Sequence, residues 1–132
     1  VTVEDELALQ RLLAEYCHRI DRGDFTSVAE LFTVDGSFTW GDDVPTGRAE
    51  LAAWFESRQP PHRRGKHASI NPIVDIDGDR ADVVSDYLFV RWIKGALTVE
   101  TAGRYVDRCA KVDGRWLIER RDAEMLMPPP PR

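Results

Sequence analysis

Three short turn signals punctuate the second half of the chain: "DGD" at 77–79, "KGA" at 94–96 and "VDG" at 112–114. Each has the composition of a tight hairpin turn. Between them lie runs in which apolar and polar residues alternate, at 66–76, 80–93, 96–110 and 115–123. Strands joined by such turns pair antiparallel with their neighbours in sequence. The spacing therefore predicts a four-stranded meander. The tail "MLMPPPPR", 125–132, cannot extend it, because proline donates no ladder hydrogen bond.

The first half has helical texture. Leu9, Leu13, Tyr16, Cys17 and Ile20 form one apolar stripe, which predicts a helix from Val3 to Arg22. Thr2 or Asp5 can cap its start and Gly23 stops it. A second helix is expected after Asp24, carrying Val28, Ala29, Leu31 and Phe32. A short strand follows at about Ser37–Trp40, and then a third helix over Arg48–Arg58. The expected organisation is one domain over 1–124 with a proline-rich tail over 125–132. The fold class is α+β, with three N-terminal helices against one face of a cone-shaped, curved antiparallel sheet. Such a cone has a cavity at its mouth.

Charge narrows the partners. The chain carries a net charge of −5 and has no long basic block, which directs the expectation away from nucleic acid. "HRR" at 62–64 reads as a solvated loop. No signal-peptide pattern and no apolar run of membrane length is present, so no membrane partner and a cytoplasmic location are expected. Cys17 and Cys109 sit inside periodic segments, outside any CxxC pattern, and are expected to be buried free thiols.

The chemistry centres on Asp21, a carboxylate set at the edge of the first helix's apolar stripe. His67 opens a strand whose alternation places His67, Ser69 and Asn71 on one face, with Ala68 and Ile70 on the other. A carboxylate bonded to one imidazole nitrogen fixes the tautomer and makes the other nitrogen the better base. The plainer readings are a capping aspartate and a satisfied core histidine. Around them, Phe38, Trp40, Trp54, Tyr87, Phe89 and Trp92 can line an apolar ligand site or simply fill the core. Arg104, Arg121 or Arg120 can supply a cation for a substrate oxygen. "DIDGDRAD" lacks the loop length and terminal Glu of a calcium site, and one histidine with scattered carboxylates makes a poor metal site, so no metal is expected.

The segments "YCHRIDRGDFTSVAELFTVDGSFTW", "KHASINPIVDIDGDRADVVSDYLFV" and "GRYVDRCAKVDGRWLIERR" resemble the SnoaL-like branch of the nuclear-transport-factor-2-like superfamily over about Val3 to Ala123. The resemblance implies the cystatin-like α+β fold. It also implies an Asp–His dyad, as in scytalone dehydratase, bile acid 7α-dehydratase and a dehydrochlorinase, at Asp21 and His67. Tyr16 stands where the bile acid enzyme has its tyrosine, although packing is an equal reading for a residue within the stripe. Trp40 falls where ketosteroid isomerase has its base, which weakens that chemistry and leaves only Asp42 and Asp43 nearby for it. The second histidine of scytalone dehydratase would fall near Tyr87 and is missing. The implied activity is a cofactor-independent lyase or isomerase acting on a small polycyclic, polyketide-like or steroid-like molecule with a polar handle. The alternatives are a non-catalytic ligand-binding domain or a small subunit of a dioxygenase-like complex. A homodimer or homotrimer is expected from apolar strand residues such as Val90 and Trp92 on the uncovered sheet face.

Overall fold

Thr2 caps the first helix: its hydroxyl accepts the Asp5 N–H at 3.1 Å. The computed structural model describes residues 2–132. Its elements are α1 (Val3–Asp21), α2 (Phe25–Ala29), β1 (Phe32–Trp40), α3 (Arg48–Arg58), a single 3-10 turn (Pro61–Arg63), β2 (Lys66–Asp77), β3 (Arg80–Ile93), β4 (Ala96–Val112) and β5 (Arg115–Met125). No helix among the described residues is long and apolar enough to cross a membrane.

The five strands form one open, curved sheet in the order β1-β5-β4-β3-β2. The meander β2–β5 is antiparallel as its turns require. β1 adds to β5 in parallel, so the sheet is mixed. Register shifts in every strand pair mark bulges, which bend a sheet and tighten its twist. The inward face of β3 shows the alternation directly, with Ala81, Val83, Ser85, Tyr87 and Phe89 all buried. The helices pack over this face, and α1 supplies Leu9, Leu13, Tyr16 and Ile20 to the shared core. On the opposite face Trp92, Leu97 and Val99 remain exposed. Trp92 lies directly opposite Leu97 in the β3–β4 register.

Two local expectations are corrected. Leu31 and Phe32 do not continue α2. The chain leaves the helix after Ala29, the Ile118 N–H bonds the Leu31 carbonyl at 2.8 Å, and Phe32 begins β1 opposite Ile118. The apolar pair thus serves strand pairing, although its spacing also suits a helix. Asn71 does not share the face of His67 and Ser69. A bulge between Ile70 and Ile73 puts it at φ 54°, and its amide donates to Asp86 on the outer side.

Arg121, expected at the ligand, is instead part of the core. Its Nε and Nη2 donate to the two oxygens of Asp107 at 2.7 and 2.8 Å. Both side chains are fully buried. Asp107 lies directly opposite Arg121 in the β4–β5 register, so the strands themselves set the bidentate geometry. The guanidinium packs against two rings, Tyr16 at 4.3 Å and Tyr105 at 4.1 Å, which stand edge to face with each other. Both cysteines are free and buried; burial pushes Cys17 up to about 11 and Cys109 up to about 12.

Two outcomes follow from this packing. A lone buried charge costs about 3–5 kcal/mol, whereas an apolar pair of similar volume is often neutral. Asp107→Leu is therefore expected to lower the unfolding free energy by about that amount, and Asp107→Leu with Arg121→Met to recover most of it, as read by urea denaturation. The second outcome concerns Asp5, which accepts from Trp116 Nε1 at 2.9 Å and Lys111 Nζ at 3.1 Å. These bonds, the Trp116 bond foremost, hold its carboxyl down at about 2 against an ordinary 3.8. A depressed carboxyl adds stability above its unfolded pKa and loses it as pH falls through the folded one. Asp5→Asn should melt below the wild type at pH 7, and the gap should close between about pH 4 and pH 2 in a thermal-melt series.

Candidate active site

The last turn of α1 and the first residues of β2 meet at one carboxylate. Asp21 Oδ1 lies 2.7 Å from His67 Nδ1. Both Asp21 oxygens also accept the backbone N–H of His67, each at 3.1 Å. β2 is an edge strand, so this N–H points away from β3 and would otherwise be an open ladder position. Two glycines make the approach possible. Gly23, at φ 74°, turns the chain out of α1, and a Cβ there would lie 2.5 Å from the Arg64 guanidinium. A Cβ on Gly65 would lie 2.1 Å from the Val90 carbonyl oxygen. The chain therefore passes tightly against β3 and enters β2 with His67 opposite Phe89.

The pairing assigns the tautomer. An ionised carboxylate only accepts, so in the neutral ring Nδ1 carries the proton and Nε2 keeps the lone pair. Nε2 makes no hydrogen bond to any described residue. The ring stacks on Phe89 with centroids 4.4 Å apart. The Asp21 and His67 side chains are 8% and 9% exposed. At that burial the Asp21–His67 hydrogen bond is shielded from bulk water, while the His67 ring still borders a cavity.

That cavity encloses about 100 Å³. His67 lines it, and Asp21 stands behind His67, outside the lining. Tyr16, Phe38, Trp40, Trp54, Tyr87 and Phe89 line it as well. Trp40 on β1 and His67 on β2, the two edges of the sheet, border the same space, so the sheet curls until its edges face each other. Phe38 organises the wall: it packs tilted on Trp54 at 5.3 Å and edge-on to Phe55 at 5.3 Å. Tyr87 stacks on Tyr105 at 4.4 Å. Tyr16 is almost wholly buried; burial raises its phenol above the ordinary 10, and nearby Arg121 and Tyr105 offset this only in part. It is a neutral hydrogen-bond donor throughout the working pH range.

Arg104 does not reach this space. Tyr87 points inward, so Asp86 points outward, and Arg104 lies opposite Asp86 in the β3–β4 register. The two make a loose exposed ion pair at 3.7 Å. Arg120 is likewise exposed and bonds Asp122 at 3.1 Å. The cations at the cavity are Arg58 and Arg63, which flank the loop between α3 and β2 together with Gln59. Arg63 reads in the sequence as part of a solvated loop, which has no periodicity to say which side chains turn inward, and Arg58 falls at the last residue of α3, where the helical pattern ends. Asp43 bonds Trp54 Nε1 at 3.1 Å and also accepts from Arg58. These partners, Trp54 first, hold its carboxyl below the ordinary range and make it a poor base. Asp42 is exposed. Among the described residues no three His, Cys, Asp or Glu side chains gather as metal ligands would.

Comparison with known proteins agrees with the fold and sharpens its family. The profile of a family described as SnoaL-like domain matches residues 1–122. A Mycobacterium tuberculosis protein of unknown function is similar at 30% identity, over 92% of this chain and 71% of that one, with a TM-score of 0.86. A Novosphingobium aromaticivorans protein provisionally named a scytalone dehydratase is similar at 25% identity, over 95% of this chain and 86% of its own, with a TM-score of 0.82. An NTF2-like protein with a cystatin-like fold from the same organism shares the fold at 23% identity, over 94% and 83% of the two chains, with a TM-score of 0.88. None of the curated proteins compared with the chain matches it.

Proposed function

This chain belongs to the SnoaL-like domain family, and we propose that it is a cofactor-independent lyase of the dehydratase type, or an isomerase, with His67 as general base. The observation that carries the proposal is the 2.7 Å bond from His67 Nδ1 to Asp21, made by a histidine that borders a cavity walled mainly by aromatic rings. Nε2 takes a proton from a carbon beside an activating group of the substrate. Asp21 holds the ring in the required tautomer and stabilises the imidazolium that forms. Tyr16, a neutral donor lining the same space, hydrogen-bonds the developing oxyanion or the leaving hydroxyl. In elimination the electron pair of the broken C–H bond expels the leaving group. In isomerisation the proton returns to a second carbon. Both routes share the first step, to which general base catalysis typically contributes ~10²–10⁴-fold in rate.

The substrate in this reading is a mostly apolar molecule of polycyclic, polyketide-like or steroid-like type with a polar handle. Drug-sized sites usually span about 300–1,000 Å³. The enclosed 100 Å³ therefore takes one ring of such a molecule, with the remainder at the mouth. The similarity to a protein provisionally named a scytalone dehydratase supports the elimination version.

Two measurements test the reading. Long-range ¹H–¹⁵N correlation should show His67 protonated at Nδ1 in the wild type, with the Nε2-protonated form gaining in Asp21→Asn. A wild-type His67 protonated at Nε2, the form free histidine prefers, removes the orienting role of Asp21. The protein should also accelerate deuterium exchange at the acidic carbons of 2-indanone in D₂O, with a loss of about 10²-fold or more in His67→Asn. Exchange that is equal in wild type and variant removes His67 as the base.

A further inference from the structure

The mouth of the cavity carries charge that the proton-transfer chemistry does not use. Arg58 is matched by Asp43. Glu100, on β4, receives Arg91 Nε and Nη2 in a bidentate pair at 2.9 and 2.8 Å. Arg63 reaches the same Glu100 only at 3.6 Å. One carboxylate thus stands between two guanidiniums, and Arg91 has the better geometry. Glu100 is held below its ordinary pKa, by Arg91 foremost, so it stays ionised and the group carries one net positive charge. This surplus sits on a chain whose overall charge is −5.

Two buried polar atoms in the same lining have no partner: Arg63 Nε and Gln59 Oε1. An unmet buried donor is costly, so its persistence at a cavity mouth points to a ligand atom that satisfies it once the Arg63 side chain turns. The remainder of the Arg63 side chain is 43% exposed, which leaves it open to a molecule arriving from solution. Gln59 is adaptable, because its amide can present either its oxygen or its NH₂ to the same ligand.

We infer that Arg63 is the specificity-determining anchor of the site and that the substrate is an aromatic acid. Its ring enters the cavity against Trp54 and Phe89, and its carboxylate, or an equally acidic oxygen, docks on Arg63 beside Gln59. One net positive charge matches a monoanion, and a planar guanidinium matches a planar carboxylate. Arg63 can turn from Glu100 to the ligand without leaving Glu100 uncompensated, since Arg91 remains. The inference rests on the cavity being the substrate site. It does not depend on His67 being the base.

Benzoate and benzyl alcohol, one ring with and without the charge, provide the test by calorimetry and ¹H–¹⁵N shift mapping. The wild type should bind benzoate about tenfold more tightly than benzyl alcohol. Arg63→Gln should abolish that preference and leave benzyl alcohol binding unchanged, which also shows that the variant is folded. Glu100→Gln, which removes the competing carboxylate, should strengthen benzoate binding. Added salt should weaken benzoate and leave the alcohol alone. His67→Asn should keep the preference, so a failure of the proton-transfer reading registers separately. Equal affinity for the two probes, no benzoate binding to the wild type, or a preference that survives Arg63→Gln would each overturn the inference.

Discussion

Everything at the site depends on one carboxylate serving two masters at once. Asp21 binds the backbone N–H of His67 with both oxygens and the ring nitrogen with one. The backbone contacts dock the end of α1 onto the open edge of β2, and the ring contact sets the tautomer. The same group that seals a sheet edge therefore orients an imidazole. Neither task is separable from the other, because a shift of the helix end that relaxed one bond would lengthen all three.

Behind that contact the aromatic wall has its own support. Arg121 and Asp107 form a fully buried ion pair on the inner face of the sheet, within a largely apolar core. The charge is tolerated because both partners face each other across β4 and β5, and because two tyrosine rings cover the guanidinium. Those rings belong to Tyr16 and Tyr105, which also border the cavity. The pair thus fixes the floor of the pocket from below while remaining out of reach of a ligand. Its value is in geometry more than in stability, since a buried pair rarely improves on well-packed apolar residues.

The parts of this arrangement that follow a period were legible in the sequence. The α1 stripe and the alternation of β2 placed Asp21 and His67 on their elements, and the family resemblance is what brought the two together; the aromatics at 38, 40, 54, 87 and 89 border the cavity, whereas Trp92, offered with them, stands exposed on the other face. What escaped was set by tertiary pairing. Phe32 left its helical spacing to pair with Ile118, and a bulge carried Asn71 to the other face. An arginine at an inward position of β5 looks the same on paper whether it meets a substrate or an aspartate; only the β4–β5 register distinguishes the cases. Arg58 and Arg63 lie beside and within "QPPHRRGK", where neither a 3.6 nor a 2.0 period operates, and the sequence reads there as solvated loop.

Gly65 draws a boundary across the molecule. With the Val90 carbonyl where a Cβ would have to sit, this position accepts no side chain, and the backbone behind it is pinned onto β3. Residues before it, 59–64, form a surface turn with no ladder obligations. Substitutions within 59–64 can therefore reshape the rim of the cavity, where Gln59 and Arg63 sit, while the pairing that begins with Lys66 opposite Val90 and seats His67 opposite Phe89 keeps its register.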